Sequence, residues 1–272
     1  MFFIVDFSAH ARSFGEIFIN IGICILALII FLVYHGYRDA KKRKRDKQIE
    51  TFAKRKKLRY LPFFGEPLKF KDSFNCFNGM SDLSFINVIE KIDKDKVRIY
   101  IGELQWVKPM GPVQLSKGNF DFSPSMGMDS SYDKFKNYQN MCVCFDDRFD
   151  LPDFDLMRET IGKKAAEVLR LNNTEDIDFD EDKEFSDAWW LSSNMNMVVT
   201  ELFTREVRKK FMQYVNKNYR IVGRKNMLFI IADKLYEPED YIKIESDMRS
   251  IAKFLSSNKK FYNSEYVEKD YL

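Results

Sequence analysis

Histidine is almost absent from this chain of 272 residues. Both histidines, His10 and His35, precede Arg38, and residues 38–272 contain none. This absence excludes two kinds of site from that large part of the chain: nucleophilic sites of the Ser-His-Asp or Cys-His type, and zinc or iron centres held by histidine. A general base in that part has to be Asp, Glu, Lys, Tyr or Cys.

Glycine is also sparse. The chain has 11 glycines, which are scattered, and neither GxxxxGK[ST] nor GxGxxG occurs. Those two motifs supply the backbone cradle that most ATP-binding and NAD-binding proteins place around phosphate groups. We therefore expect no nucleotide and no cofactor.

Cysteine is limited to four residues: Cys24, Cys76, Cys142 and Cys144. The spacing of Cys142 and Cys144 places both thiols on the same face of a strand and differs from the CxxC spacing of redox and zinc sites. In a reducing compartment no disulfide is expected. The favoured interpretation is a pair of buried apolar thiols, and the alternative is a metal or redox site.

One long apolar run is present. Residues 17–37 read IFINIGICILALIIFLVYHGY and contain no charged residue. About 20 apolar residues in helical form match the ~30 Å hydrocarbon core of a bilayer. A cleaved signal peptide has a basic start, a shorter apolar stretch and a small-residue cleavage site, which this segment lacks. We therefore predict a transmembrane helix over residues 17–37, preceded by a short extracytoplasmic N-terminus, residues 1–16.

A dense block of positive charge follows the apolar run. Residues 38–59 hold twelve Lys and Arg against three acidic residues, a net charge of +9, whereas residues 1–16 hold one arginine. The positive-inside rule then places the N-terminus outside and the rest of the chain in the cytoplasm, at the inner (plasma) membrane. We predict a basic juxtamembrane helix over residues 38–59 that contacts anionic lipid. The residues expected at the membrane surface are Lys41, Lys42, Arg43, Lys44, Arg45 and Lys47.

Nucleic acid is the other partner that such a basic run can bind. No basic surface interleaved with aromatic residues continues beyond it, and residues 60–272 carry a net charge of −5. Lipid contact is therefore favoured, and no nucleic acid is expected.

Residues 60–256 alternate between strand-like and helix-like patterns, which predicts a cytoplasmic α+β domain with a largely antiparallel sheet and packed helices. A long loop or excursion is expected over residues 108–137, and a loosely held polar tail over residues 257–272. The predicted strands are 85–92, 97–106, 139–146, 176–179, 189–191, 219–222 and 227–232, and the predicted helices are 159–171, 198–215 and 238–256. Two hairpins are predicted, one around residues 93–96 and one with the four-residue turn 223–226, and LPDFDLMRE is predicted to be a turn that leads into the helix over residues 159–171. The spacing of the last helix predicts that it buries Tyr241, Ile244, Met248, Ile251, Ala252 and Leu255.

A resemblance to a known group adds to this interpretation. The runs FDLPDFDLMRE, DIDFDEDKEFSDAWWL and VTELFTREVRKKF, with the hairpin and helix that follow them, resemble a family of uncharacterised bacterial single-pass membrane proteins. The resemblance covers roughly residues 139–256. It implies a membrane-anchored cytoplasmic α+β domain with no assigned activity, and it supplies no catalytic residue.

The stretch TEDIDFDEDKEFSD is the most acidic part of the chain. Asp176, Asp178 and Asp180 stand at the alternate positions of an EF-hand loop, but Glu181 replaces the turn glycine and Asp187 replaces the bidentate glutamate. On a strand these three carboxylates share an exposed face. A solvated strand edge is the favoured interpretation, and weak divalent-cation binding is the alternative.

Three functional hypotheses follow. The leading one is a non-enzymatic interaction module held near the bilayer, with a protein partner of unknown identity and with homo-oligomers left open. The second is a carboxylate-based metal-dependent hydrolase or nuclease that uses Asp150, Asp153, Asp155 and the acidic stretch. The third is a subunit of a multi-protein envelope or defence assembly, which meets its partner through residues 108–137.

Overall fold

The computed structural model describes residues 7–65, 81–107, 136–159, 176–258 and 260–262. The chain forms two compact units, Met1–Ile49 and Glu50–Leu272. The first unit is helical, and the second contains the sheet.

Helix α1 runs without interruption from Phe7 to Arg55. Every side chain from Ile21 to Tyr34 is exposed, although this segment is apolar on all sides. Within the described part of the chain, this is the one helix long and apolar enough to cross a membrane. The helix ends at Arg55, a few residues before the predicted end, and Lys57 adopts a left-handed conformation with φ 57°.

An eight-stranded antiparallel sheet forms the centre of the second unit, counted over the described residues. Its order is β1-β2-β3-β4-β8-β7-β5-β6. This arrangement, with the helices that pack on it, confirms the predicted α+β class. The strands are β1 Arg59–Phe63, β2 Ser81–Ile92, β3 Arg98–Val107, β4 Lys136–Phe145, β5 Leu151–Arg158, β6 Trp189–Ser192, β7 Tyr219–Lys225 and β8 Met227–Ala232.

Helices precede and follow β6, and one more follows β8. They are α2 Lys183–Ala188, α3 Asn196–Leu202, α4 Arg205–Phe211 with a 3₁₀ turn Met212–Lys217, a 3₁₀ turn Pro238–Asp240, and α5 Tyr241–Leu255. The proline at the start of the second 3₁₀ turn fits a first helical position, because no intrahelical bond needs its missing N–H. Helix α5 buries the side predicted from its spacing, including Tyr241, Ile244, Met248 and Ile251.

Both faces of the sheet carry buried apolar residues. One face holds a cluster that includes Tyr100, Leu104, Val143 and Phe229. On the other face, aromatic rings from strands and helices meet edge to face or stacked: Phe154–Phe203 at 5.1 Å, Phe203–Phe211 at 5.3 Å and Phe211–Phe254 at 4.9 Å between ring centroids. Such geometry adds to the free energy gained from burial alone.

The two predicted hairpins are present. In the first, the Asp93 carboxylate accepts hydrogen bonds from the backbone N–H groups of Asp95 and Val97 and thereby fixes the loop. In the second, the predicted four-residue turn is wrong. Strand β7 continues through Gly223 and Arg224, and Arg224 pairs with Met227, so only Lys225 and Asn226 form the loop.

The predicted turn at LPDFDLMRE is also wrong, because this segment is strand β5 and pairs with both β6 and β7. Phe154 and Leu156 point to one face and Asp155 to the other, which is the period of a strand. Pro152 lies where the register shifts between Leu151 and Phe154, a place where a missing N–H is tolerated. The predicted helix over residues 159–171 lies, apart from Glu159, outside the described residues, as does nearly all of the predicted loop over residues 108–137.

The single helix predicted over residues 198–215 is divided. Helix α3 ends at Leu202, and Thr204 caps α4 by accepting a hydrogen bond from Val207 N–H. The predicted strand over residues 176–179 reduces to one bridge, between Asp176 and Ser192. The start of the tail is held rather than loose, since Phe261 is buried and Tyr262 bridges to Phe149.

Candidate functional site

The predicted membrane-contact residues lie on α1, directly after its apolar part. Lys41, Lys42, Arg43, Lys44 and Lys47 are exposed, and Arg45 is half-buried. Because successive helical residues are rotated by about 100°, six basic residues within seven positions occupy every side of the helix. They form a collar around the helix, which we call the basic collar, rather than a stripe along one side.

The acidic stretch does not converge on a common point. Asp178 and Asp180 are exposed, while Ile177 and Phe179 between them are buried. The alternation expected from the sequence is therefore present over residues 177–180, but the predicted exposed face does not include Asp176. Asp176 is half-buried, and its Oδ1 accepts a hydrogen bond from Leu191 N–H at 3.0 Å. Within the described residues, no group of three or more His, Cys, Asp or Glu could hold a metal ion.

Two carboxylates of the acidic stretch contact a buried arginine of helix α4. Arg208 of α4 is 3% exposed. Its Nε donates to Asp182 at 2.8 Å, its Nη2 to Glu181 at 2.9 Å and its Nη1 to the carbonyl of Phe203 at 2.9 Å. The guanidinium also lies 4.0 Å from the centroid of the Phe179 ring, a cation–π distance. Two carboxylates of this stretch thus compensate a buried internal cation.

The carboxylates of β5 are engaged in the same way. The carboxylate of Asp155 and the guanidinium of Arg220 form a bidentate pair. Nε of Arg220 donates to Oδ1 of Asp155 at 2.9 Å, and Nη2 donates to Oδ2. Oδ1 of Asp153 lies 3.4 Å from Nε of Arg224, an ion-pair distance. Asp150 is exposed, and its backbone N–H donates to the carbonyl of Phe261 at 3.0 Å. Of the three residues proposed for metal-dependent hydrolysis, Asp153 and Asp155 therefore pair with different arginines, and the contact of Asp150 involves its backbone.

Cys142 and Cys144 are buried on one face of β4, as their spacing predicts. Burial raises the pKa of the Cys144 thiol to about 12 and holds the pKa of the Cys142 thiol well above its usual value, with nearby acidic groups acting in the same direction. A thiol reacts as its thiolate, so both groups are unreactive near neutral pH. Cys24 is exposed on α1, and Cys76 lies outside the described residues.

A buried polar chain across β1, β2 and β3 was missed at the sequence level. Tyr60 donates to Asn87 at 2.7 Å, and Asn87 donates to the buried carboxylate of Glu103 at 3.0 Å. Asn87 has φ 53° and lies within a shift of strand register. Glu103 continues the alternate positions of Ile99 and Ile101, so its burial could have been read from the strand period.

Asp176 leads to a pH-dependent prediction. Its burial, opposed by the Leu191 hydrogen bond and reinforced by Glu159 and Asp178, raises the pKa of its carboxyl to about 7. In the unfolded chain the pKa of an aspartate carboxyl is about 3.9. Between about pH 3.9 and about pH 7 the folded chain therefore keeps this carboxyl protonated while the unfolded chain does not, and the free energy of unfolding falls as the pH rises. Because the group is partly solvated, we expect a loss of only about 1 kcal/mol between pH 5 and pH 8.

Urea unfolding at pH 5 and pH 8 measures this loss. Asp176→Asn should remove it, since an amide oxygen still accepts the Leu191 hydrogen bond but does not ionise. Asp178→Asn, at an exposed neighbouring position, is the matched control and should keep most of the pH dependence. An Asp176→Asn variant with the wild-type pH dependence would contradict the prediction.

The comparisons with known proteins are sparse. No protein family matches the chain, and no curated protein matches it. The crystal structure of the mycobacterial trehalose monomycolate transport factor A, TtfA, is similar over 82% of this chain and 99% of that chain, with 10% sequence identity and a TM-score of 0.48. The resemblance of residues 139–256 to uncharacterised single-pass membrane proteins therefore stays a prediction.

Proposed function

We propose that this chain is a single-pass inner-membrane protein with its N-terminus outside and its second unit in the cytoplasm, where that unit acts as a non-enzymatic interaction module near the bilayer. The observation that carries the proposal is α1 itself. One continuous helix is apolar and exposed on all sides, and then basic on all sides.

The distribution of side chains around α1 distinguishes a spanning helix from one that lies in the membrane surface. A surface helix has one apolar face and one basic face. Exposed aliphatic residues instead surround the segment from Ile21 to Val33, and residues 38–47 include a single apolar residue, Ala40. This pattern supports a helix that spans the membrane, with hydrocarbon on all sides of the first segment and water or headgroups on all sides of the second.

The distances along α1 support contact between the basic collar and lipid. Lys41 and Lys47 follow Tyr37 by about 6 Å and about 15 Å of helix rise. An anionic leaflet attracts basic residues within about one Debye length of ~8 Å beyond its headgroups, with ~1 kcal/mol for each Lys or Arg. The basic collar lies within that range when the apolar segment fills the hydrocarbon core.

The engaged carboxylates favour an interaction module over the metal-dependent hydrolase. A metal ion that recruited Asp155 or Asp182 would have to break an ion pair with Arg220 or Arg208. Breaking a buried pair costs about 3–5 kcal/mol. The same residues stabilise the fold directly, because they join β5 to β7 and the acidic stretch to α4.

The interaction module needs the last turn of α1. Phe52 and Ala53 are buried within the second unit, and Arg55 forms an ion pair with Glu239 at 2.9 Å. A soluble form should therefore begin no later than Glu50, where the second unit starts. One that begins at residue 60 would lose a buried phenylalanine, a change of the kind that typically costs about 3–5 kcal/mol.

The test is a crosslinking pull-down of the full chain from its native membrane, compared with residues 50–272 and with the triple variant Asp176→Asn, Asp178→Asn and Asp180→Asn. We expect the three forms to recover the same protein. A tag before Phe7 should be accessible from outside in intact cells. Recovery that requires the three aspartates, or an inaccessible tag, would contradict the proposal.

A further inference from the structure

The start of the acidic stretch lies along one edge of the sheet. Strand β6 is the last strand of the sheet in the part of the chain that the structure describes. Asp176 and Ile177 run beside its outer edge, and a single bridge joins Asp176 to Ser192. An uncovered edge strand presents backbone groups with which another chain can pair, and natural sheets commonly cover such an edge with a loop. Residues 176 and 177 supply this cover for β6.

A side chain replaces a backbone group in this cover. The C=O of Leu191 accepts a hydrogen bond from Ile177 N–H at 2.7 Å, and the N–H of Leu191 donates to Oδ1 of Asp176 at 3.0 Å. In a regular antiparallel ladder that N–H would donate to a backbone carbonyl, which carries no charge at any pH. We call these two hydrogen bonds, Ile177–Leu191 and Leu191–Asp176, the edge latch.

The surroundings of the Asp176 carboxyl favour its neutral form. The side chain is half-buried, and the charged groups that act on it are two further carboxylates, Glu159 at the end of β5 and Asp178. Strand β6, with the sequence WWLS, contributes no ionisable side chain. A carboxylic acid still accepts a hydrogen bond at one oxygen while the other carries the proton, so the edge latch needs no charge. Ionisation places a negative charge in a partly desolvated position beside two others.

We propose that the edge latch is a pH-sensitive switch, which is closed while Asp176 is protonated and releases residues 176–178 from the edge of β6 when this carboxyl ionises. The far end of the segment is held by contacts that do not involve Asp176. Phe179 N–H donates to Oγ of Ser186 at 2.9 Å, and Arg208 donates to Asp182 at 2.8 Å. The opening is therefore local, and it does not depend on the proposed membrane span.

The direction of the switch follows from the two states of the latch. In the closed latch the pKa of the Asp176 carboxyl is raised to about 7, mainly by burial, whereas in the open segment it lies near the ordinary value of about 3.9. The open form therefore gains population as the pH rises from about 4 to about 7. Because half of the side chain already contacts water, we expect a gain of only about fivefold between pH 5 and pH 8.

Hydrogen exchange of the full chain in lipid nanodiscs, followed by mass spectrometry, tests the switch. Exchange rates at pH 5 and pH 8 are each divided by the rate of an unstructured peptide of the same sequence, which removes the chemical effect of pH. The fragments that contain Ile177 and Leu191 should then exchange about fivefold faster at pH 8. A corrected rate that is equal at the two pH values would overturn the proposal.

Low concentrations of urea distinguish a local opening from unfolding of the whole second unit. Urea promotes an opening in proportion to the surface that the opening exposes. Exchange through the edge latch exposes few residues, so its rate should be nearly independent of urea below the unfolding transition. An increase at Ile177 and Leu191 that grows with urea as steeply as exchange at the central strand β8 would assign it to global unfolding and overturn the switch.

A matched pair of variants identifies the titrating group. Asp176→Asn keeps an oxygen that accepts the Leu191 hydrogen bond but does not ionise, so the corrected exchange of both fragments should be the same at pH 5 and pH 8. Asp178→Asn changes an exposed carboxyl two residues away and should keep most of the increase. A fivefold increase that persists in Asp176→Asn, or that only Asp178→Asn removes, would show that another group controls this edge.

Discussion

Replacement of Arg208 by alanine should lower the free energy of unfolding of the second unit by about 3–5 kcal/mol. The guanidinium is buried and makes three hydrogen bonds, to Asp182, Glu181 and the carbonyl of Phe203. Without it, Asp182 and the carbonyl lose partners in a site with little access to water, and the Phe179 ring loses its cation. Each effect destabilises the folded state but not the unfolded chain.

Urea unfolding of residues 50–272, followed by tryptophan fluorescence, measures this loss. Lys209→Ala removes a cation from the next position of the same helix, but that side chain is exposed, so a change within about 0.5 kcal/mol is expected. A double-mutant cycle with Asp182→Ala should show coupling of about 1–3 kcal/mol. A loss below about 1 kcal/mol in Arg208→Ala would show that the acidic stretch does not depend on this arginine.

Replacement of Gly223 by alanine should destabilise the second unit by about 3 kcal/mol, at the upper end of the range for overpacked cores. A Cβ at this position would lie 2.2 Å from Cε1 of Phe154 on the neighbouring strand β5. Phe154 cannot move away easily, because it is buried and its ring packs edge to face on Phe203 at 5.1 Å. The glycine is therefore required by the close approach of a ring and not by the turn that follows.

Removal of the Phe154 ring, alone and together with Gly223→Ala, is the control for this prediction. Phe154→Ala alone should cost about 3–5 kcal/mol, because it leaves a cavity. In the double variant the new methyl group occupies part of that cavity, so the total loss should be smaller than the sum of the single losses by about 1–3 kcal/mol. Strictly additive losses, measured by urea unfolding, would contradict a clash between these two positions.

Much of the fold could be read from the sequence where the pattern is local. The period of the apolar residues and the turn residues locate the first hairpin and the closing helix that follows Pro238. The errors arose where two local signals compete. LPDFDLMR contains a proline and three acidic or basic residues, which suggest a turn, yet two neighbouring strands make it β5. Thr204 lies within a helical period but acts as a cap.

Of the candidate sites, the basic collar can be predicted from the sequence and the role of the acidic stretch cannot. The basic collar is a run of neighbouring residues, so its composition and position follow from the sequence directly. The role of the acidic stretch does not, because Arg208 lies 26 and 27 positions from the two carboxylates that it holds. No local period connects residues at that separation, so the sequence alone does not indicate which cation pairs with these carboxylates.

The sequence by itself determined the apolar segment, the basic collar, the absence of histidine beyond residue 38 and the α+β class, because each depends on composition or on a short-range period. Only the tertiary structure decided which cation compensates which carboxylate, where the long helical pattern breaks and why Gly223 is a glycine. These features depend on contacts between residues distant in the chain, and the free energy of such contacts comes from burial and pairing that exist only once the sheet and its helices have assembled.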